Sequence, residues 1–219
     1  MITERIYLIS DRRQVQHGDF VGQLDVALAG LPPRAVLVQL REKDLGGKAL
    51  LQLARATREV TWAHETRLLI NDRVDLALAV GADGVHLPGS GFSVADAREL
   101  MGPESVVAAS THDLDGALGR LNEGADLITL GPIWETPSKR DLGAPVGTEL
   151  LAVTARTMAR TCPNARLFAL GGVDSVDRAK AAISSGAHGI GVIRAVLSAP
   201  DAAFALRELV GAIGRGDLP

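Results

Sequence analysis

Short apolar runs alternate along this chain with longer stretches in which apolar side chains recur every three or four positions. Five of the runs occupy residues 6–10, 35–40, 68–71, 106–110 and 167–170. Runs of this length between polar segments are typical of strands buried on both faces of a parallel sheet. The longer stretches predict helices at residues 47–64, 72–80, 94–100, 114–123, 148–160 and 176–185.

A recurring phrase supplies the remaining strands. VGADGVHL (80–87), EGADLITLG (123–131) and SGAHGIGV (185–192) each follow a helical pattern. Glycine can take the left-handed conformation that ends a helix, and the apolar residues after it suit a buried strand. Eight strands alternating with helices predict a single (β/α)₈ TIM barrel, one domain over residues 1–219. The alternative, an open doubly wound sheet, usually has a glycine-rich first crossover, and none follows Ser10.

Composition narrows the range of partners and locations. The net charge is −3 and the 23 Lys and Arg residues are dispersed, which argues against nucleic-acid binding. A single cysteine, a charged amino-terminal segment and the lack of a long apolar run predict a cytoplasmic protein without a membrane span. The apolar positions of the helix around residues 50–60 could supply a homodimer interface.

Polar residues gather after the predicted strands, at the end of a barrel where active sites are built. The segment VQLREKD contains Arg41 and Lys43, and Asp72 follows the third strand. If the chain stays extended, Arg41 and Lys43 both point inward, because alternate side chains share a face. With Lys139 after the sixth strand, these cations and the carboxylate predict a diphosphate site that holds Mg²⁺.

Glycines after the seventh and eighth strands predict a separate phosphate site. Gly171, Gly172 and the turn at residues 191–194 expose backbone N–H groups before helices. Many barrels bind one phosphate monoester with such groups at this place. The two glycines would also suit a tight turn that binds nothing.

Simpler alternatives exist for the other candidates. Asp72 could cap the helix that follows it instead of binding a metal ion. Arg41 and Lys43 could form a solvated charged turn. His86 lies within a predicted strand, where a hydrogen-bonded structural role is more common than catalysis.

Five motifs in order, VQLREKD, LINDRVDLALAVGADGVHL, STH, GADLITLGPIWETPSK and LGGV, resemble those of the thiamine phosphate synthase superfamily, which includes thiazole tautomerases. The resemblance extends over roughly residues 6–195 and implies a (β/α)₈ barrel. In the synthases, hydroxymethylpyrimidine diphosphate loses diphosphate and the nitrogen of thiazole phosphate attacks the resulting methylene cation. The resemblance therefore implies two small phosphorylated substrates.

The resemblance also implies roles for individual residues. Gln39, Arg41, Lys43 and Asn71 would hold the pyrimidine diphosphate, and Asp72 would bind Mg²⁺. Lys139 would stabilise the departing diphosphate. Contacts to the pyrimidine or to the thiazole phosphate would come from Ser110, Thr136, Ser138, Gly172 and the strand-8 turn at Val192 and Ile193.

One segment departs from the synthase pattern. Synthases usually carry a second metal-binding Asp after strand 4, whereas this chain has HLPGSGFS, without a carboxylate. That loop resembles the tautomerases, which need neither diphosphate nor metal, and His112 matches the position of their proton-transferring histidine. We expect a synthase because the other diphosphate-side positions are retained. A tautomerase is the alternative, and a non-catalytic regulator that binds a thiamine precursor is a hypothesis of another class.

Overall fold

The computed structural model describes residues 1–15, 18–136 and 144–214. Eight parallel strands close into a barrel in chain order. The strands are β1 (Ile6–Ile9), β2 (Val36–Leu40), β3 (Arg67–Asn71), β4 (Gly84–Leu87), β5 (Val106–Thr111), β6 (Leu127–Leu130), β7 (Arg166–Leu170) and β8 (Gly189–Val192). Every predicted strand overlaps one of them, and the predicted (β/α)₈ barrel is confirmed.

The helices of the described residues pack around the outside of the barrel. They are α1 (Phe20–Leu28), α2 (Gly47–Ala63), α3 (Val74–Val80), α4 (Val94–Met101), α5 (Leu114–Asn122), α6 (Gly147–Thr161), α7 (Val176–Ser184), α8 (Arg194–Leu197) and α9 (Ala202–Ile213), with a 3₁₀ turn at Arg12–Gln14. The prediction placed the third helix two residues too early, because Asp72 has a φ of 64° and cannot continue a right-handed helix.

Alternate side chains of each strand face the helices and the barrel interior. Outward residues such as Leu8, Val38 and Ile70 join the large apolar core between strands and helices. Inward residues form a second cluster that includes Tyr7 and Phe168. Side chains thus fill the lower part of the barrel, and a substrate can approach only the carboxyl ends of the strands.

The recurring Gly-Ala-Asp phrase joins each helix to the next strand. Gly81 and Gly124 have φ values of 61° and 99°, in the left-handed region that turns the chain out of the helix. The following carboxylates accept backbone N–H bonds from the neighbouring strand: Leu68 donates to Asp83 and Val107 to Asp126, both at 2.8 Å. The phrase therefore also fixes the position of one strand against another.

The third copy of the phrase has His188 in place of the aspartate. Its Nε2 lies 3.1 Å from the carbonyl oxygen of Glu4, and its ring packs 5.7 Å from that of Phe168. Burial, together with the charges of Arg166 and Arg5, lowers the pKa of His188 to about 4. The ring is therefore neutral at physiological pH.

We expect His188 to make the folded state less stable in acid. Its unfolded pKa is about 6.5, so between about pH 6.5 and 4 the unfolded chain binds the extra proton and stability falls as the pH falls. Allowing for its partial exposure, the loss is on the order of 1–2 kcal/mol. Urea unfolding at pH 7.5 and pH 5 should show a smaller pH difference for His188→Gln than for the wild type. Equal differences in the two proteins would contradict this role.

Candidate active site

A row of polar side chains crosses the carboxyl end of the barrel from β2 to β6. We call Gln39, Asn71, His86, Ser110 and Thr129 the polar belt. Gln39 Nε2 donates to Asn71 Oδ1 at 3.1 Å, His86 Nε2 lies 2.7 Å from Ser110 Oγ, and Ser110 Oγ lies 3.2 Å from Thr129 Oγ1. Gln39, His86 and Thr129 are buried, whereas Asn71 and Ser110 are half-buried. The belt thus presents an amide and a hydroxyl to the mouth of the barrel.

His86 connects the polar belt to the barrel interior. Its Nδ1 lies 3.1 Å from the hydroxyl of Tyr7, which is wholly buried. Burial, and to a lesser extent the charge of Arg41, lowers the pKa of His86 to about 3. The ring is therefore neutral at physiological pH, and His86 is hydrogen-bonded within a strand, as the sequence interpretation expected.

The two carboxylates of the charged segment after β2 hold the loop that follows β1. Glu42 is buried and accepts from the Ser10 hydroxyl at 2.7 Å and from the Arg12 amide at 3.0 Å. Asp44 accepts hydrogen bonds from both terminal nitrogens of Arg12, at 2.9 and 2.7 Å. The Arg41 amide in turn donates to Ser10 Oγ at 2.8 Å. Neighbouring residues therefore satisfy both carboxylates.

The two cations of the same segment differ in their surroundings. Arg41 is half-buried, and burial lowers the pKa of its guanidinium. Within the described ranges its side chain makes no hydrogen bond and no ion pair within 4.0 Å, although Asp11 and Glu42 attract it from farther away. Strand β2 ends at Leu40, and Lys43 lies exposed in a turn. The predicted extended alternation is therefore wrong beyond β2, while the role of Lys43 stays a prediction.

Asp72 lies against the loop that follows β4. Its amide donates to the His86 carbonyl at 2.9 Å, and a Cβ added to Gly91 would come within 2.6 Å of its Oδ1. The cap of α3 is Arg73, which makes no side-chain cap bond, so the helix-cap alternative for Asp72 is wrong. The left-handed backbone instead aims a half-buried carboxylate at the β4 loop.

Asp72 could supply one ligand to a metal ion. Among the described residues, no group of three or more His, Cys, Asp or Glu side chains is placed to hold one. Magnesium is often held by one or two carboxylates together with substrate phosphates and water. The donor set therefore fits Mg²⁺ only if the substrate supplies further oxygen ligands.

The glycine pair after β7 packs against the segment that follows β6. Gly171 and Gly172 have φ values of 94° and 71°. A Cβ at Gly172 would lie 2.7 Å from Trp134 Cβ and 2.9 Å from the Trp134 carbonyl oxygen. Arg178 donates to the Gly172 carbonyl at 2.7 Å and lies 5.6 Å from the Trp134 ring. The left-handed backbone and the close packing therefore require glycine at both positions, and phosphate binding at Gly172 stays a prediction.

The turn after β8 is held to the same segment by Arg194. Its Nη2 donates to the buried Thr136 hydroxyl at 3.1 Å. The Val192 side chain belongs to the apolar core between strands and helices, so only its main chain could contact a ligand. Ile193 is half-buried and packs against both apolar clusters. The mouth thus gains a cation, Arg194, to which the sequence interpretation gave no role.

The remaining candidates lie on or beyond the β5 and β6 ends. His112 is exposed, and its Nδ1 hydrogen-bonds the Gly131 carbonyl oxygen. Ser138 and Lys139 lie outside the described residues, so their roles stay predictions. The sequence interpretation missed Thr129 and Tyr7. A signal for Thr129 was present, because it shares the parity of the inward residue Leu127 and a polar side chain at an inward strand position is unusual.

The closed barrel and the polar mouth at its carboxyl end place this chain in the class of (β/α)₈-barrel enzymes. A family model described as thiamine monophosphate synthase matches residues 6–196. The chain therefore belongs to the thiamine monophosphate synthase family.

Individual relatives agree with this assignment. A Geobacter sulfurreducens protein, provisionally named a thiamine-phosphate synthase, is 44% identical over 94% of this chain and 92% of its own length. The thiamine-phosphate synthase of Moorella thermoacetica is 38% identical over 85% of this chain and 86% of its own. The structure of thiamine phosphate pyrophosphorylase from Pyrococcus furiosus superimposes with a TM-score of 0.83 at 29% identity, covering 97% of this chain and 96% of that one. In the part of the chain that the structure describes, every helix is too short or too polar to cross a membrane.

Proposed function

We propose that this chain joins hydroxymethylpyrimidine diphosphate to thiazole phosphate, releasing diphosphate and forming thiamine phosphate. Arg41 carries the proposal. Its guanidinium is half-buried near the polar belt, and its charge is felt at His86. Burial disfavours a charge that has no close partner. An anionic diphosphate at the mouth would supply that partner.

The proposed reaction requires no nucleophile from the protein. The bond between the pyrimidine methylene carbon and the diphosphate oxygen breaks, and its electron pair leaves with the diphosphate. The thiazole nitrogen then forms the new bond to that carbon. Arg41, with Lys43 and Lys139, stabilises the negative charge that develops on the leaving group. Gln39 and Asn71, held by their mutual hydrogen bond, orient the pyrimidine side of the substrate.

Asp72 is the residue that would hold Mg²⁺, together with substrate oxygens. When bound, the ion would add positive charge beside the departing diphosphate. With a single carboxylate ligand, metal affinity should be weak until the substrate binds. On this proposal Mg²⁺ and the diphosphate bind together.

The thiazole phosphate is proposed to bind at the β6, β7 and β8 ends. Gly172, Thr136, Ser138 and the main chain of Val192 and Ile193 are the predicted contacts. The bond between Arg194 and Thr136 holds two of these loops together. A cytoplasmic location, a single domain over the whole chain and a homodimer stay predictions.

Two observations favour the tautomerase as a second candidate. The loop after β4 contains no carboxylate that could bind a metal ion together with Asp72. The position of this loop that faces the Asp72 carboxylate is a glycine, Gly91. His112 Nδ1 donates to the Gly131 carbonyl oxygen, so this nitrogen carries a proton, and within the described ranges no hydrogen bond occupies Nε2, which could accept one. Such a histidine could move a proton on a thiazole ring.

A turnover assay separates these functions. Purified protein is incubated with both phosphorylated substrates, with and without Mg²⁺, and thiamine phosphate is measured by chromatography. We expect product only with Mg²⁺. Proton exchange on the thiazole that is lost in His112→Ala, with no thiamine phosphate at any Mg²⁺ concentration, would favour the tautomerase. Precursor binding by calorimetry without either reaction would favour the regulator.

A second carboxylate in the loop after β4 should strengthen Mg²⁺ binding beside Asp72. Gly91 is unsuitable, because its φ is 123° and a Cβ there would meet Asp72 Oδ1 at 2.6 Å. Ser90 is exposed and adjacent. We expect Ser90→Asp to lower the Mg²⁺ concentration needed for half-maximal turnover several-fold, since a second carboxylate suits this ion. Ser90→Asn has nearly the same shape without the charge. The same Mg²⁺ dependence in both variants would place the loop outside the metal site.

A further inference from the structure

We propose that Tyr7 and His86 are positioning residues that, together with Thr129, make the Ser110 hydroxyl a hydrogen-bond donor to the substrate. The inference rests on the proposed function in one respect, namely that Ser110 contacts a substrate. It deepens that function by stating which kind of substrate atom Ser110 can recognise.

The direction of hydrogen bonding begins at Tyr7. Its side chain is wholly buried, and burial raises the pKa of the phenol, which therefore keeps its proton. Among the described residues, His86 Nδ1 at 3.1 Å is the hydrogen-bond partner of the phenol. Leaving the proton of a buried hydroxyl without an acceptor is unfavourable, because the group has lost its hydrogen bonds to water. The phenol therefore donates to Nδ1.

That bond selects one tautomer of His86. A neutral imidazole carries one N–H group, so a ring that accepts at Nδ1 is protonated at Nε2. Nε2 lies 2.7 Å from Ser110 Oγ, and it therefore donates to the serine oxygen. The serine proton cannot be given back to His86.

Thr129, on β6, donates a second hydrogen bond to the Ser110 oxygen. Its side chain is buried, and Ser110 Oγ at 3.2 Å is the hydrogen-bond partner that the described residues offer to its hydroxyl. To avoid an unsatisfied buried donor, Thr129 donates to Ser110 as well. The two lone pairs of the serine oxygen are then both occupied. Its one proton is left to point into the mouth.

The substrate atom beside Ser110 must therefore be an acceptor. A ring nitrogen with a lone pair or a phosphate oxygen fits, whereas an amino group would face a hydroxyl that has no lone pair to offer. Removing the phenol oxygen of Tyr7 would free His86 to exchange tautomers. Ser110 could then turn its proton toward His86 and lose its preference for an acceptor.

Histidine NMR tests the tautomer directly. In wild-type protein labelled with ¹⁵N-histidine, the His86 signals should show a protonated Nε2 and an unprotonated Nδ1. In Tyr7→Phe the two nitrogens should move toward averaged shifts. A protonated Nδ1 in the wild type would overturn the proposal. This measurement needs no turnover, so it stands apart from the outcome of the synthase assay.

A double-mutant cycle tests the functional link. Ser110→Ala and Tyr7→Phe should each lower kcat/KM by about tenfold, the scale of one hydrogen bond. The double variant should be no worse than Ser110→Ala, because Tyr7 acts only through that hydroxyl. Thr154→Val removes a buried hydroxyl to which the described residues offer no hydrogen-bond partner, and it should leave kcat/KM unchanged. Additive losses in the cycle would show that Tyr7 acts through packing and would sink the proposal.

Discussion

Replacing Arg41 with methionine should lower kcat/KM for thiamine phosphate formation by about 100-fold or more. One preorganised charge aimed at a developing anion contributes on this scale. Methionine keeps much of the apolar stem, so the surrounding packing should survive. The folded protein should be at least as stable as the wild type, since the variant removes a half-buried charge that has no close partner within the described ranges.

Arg13→Met provides the matched control for charge. Arg13 lies in the neighbouring loop with its side chain 69% exposed and pairs with Asp11 at 3.1 Å. Arg13→Met changes the net charge by the same amount but leaves Arg41 at the mouth of the barrel. Its kcat/KM should differ from that of the wild type by less than about threefold. Steady-state assays at saturating Mg²⁺ compare the two variants. Equal losses would mean that Arg41 acts only through the general field of the protein.

Replacing Gly172 with alanine should reduce both activity and stability. Its φ of 71° disfavours any L-residue, and the new Cβ would lie 2.7 Å from Trp134 Cβ. The left-handed conformation costs about 1–2 kcal/mol and the overlap about 1–3 kcal/mol more. Trp134 must therefore move, and Thr136 two residues further on moves with it. We expect kcat/KM to fall by about 100-fold, with the KM for thiazole phosphate raised, because small displacements of binding groups have effects of this size.

Gly81→Ala separates conformation from contact. Gly81 has a φ of 61°, close to that of Gly172, but a Cβ there would meet no atom within 4 Å. Gly81 ends α3, away from the mouth of the barrel. Gly81→Ala should therefore lower the free energy of unfolding in urea only by the cost of the left-handed conformation, and it should leave kcat/KM unchanged. If Gly172→Ala is no worse than Gly81→Ala in both measurements, the packing of the β6 segment on Gly172 has no bearing on the site.

The prediction for Lys139 rests on the sequence and the family alone. Its position after β6 and its resemblance to the synthase motif give it the role of stabilising the departing diphosphate. Lys139 lies outside the described residues. An activity measurement on Lys139→Ala would test its role.

Local sequence patterns are sufficient to predict the barrel and the strand ends that line its mouth. Strand alternation, helical periodicity and glycine conformation act over a few residues, so patterns such as Gly81-Ala82-Asp83 can be interpreted without knowing the fold. The same local logic placed Arg41 and Asp72 after strands, where barrel chemistry occurs. It failed for α3, because the left-handed backbone of Asp72 depends on contacts with β4.

Contacts between residues far apart in the chain became known only from the folded structure. Tyr7 and His86 are 79 positions apart, and Ser10 and Glu42 are 32 apart, yet each pair shares a hydrogen bond. Such bonds depend on strand register and on the direction of each side chain, and neither can be obtained from local periodicity. Arg41 and Lys43 also look alike in the sequence, but burial without a close partner in the described residues distinguishes Arg41 from the exposed Lys43.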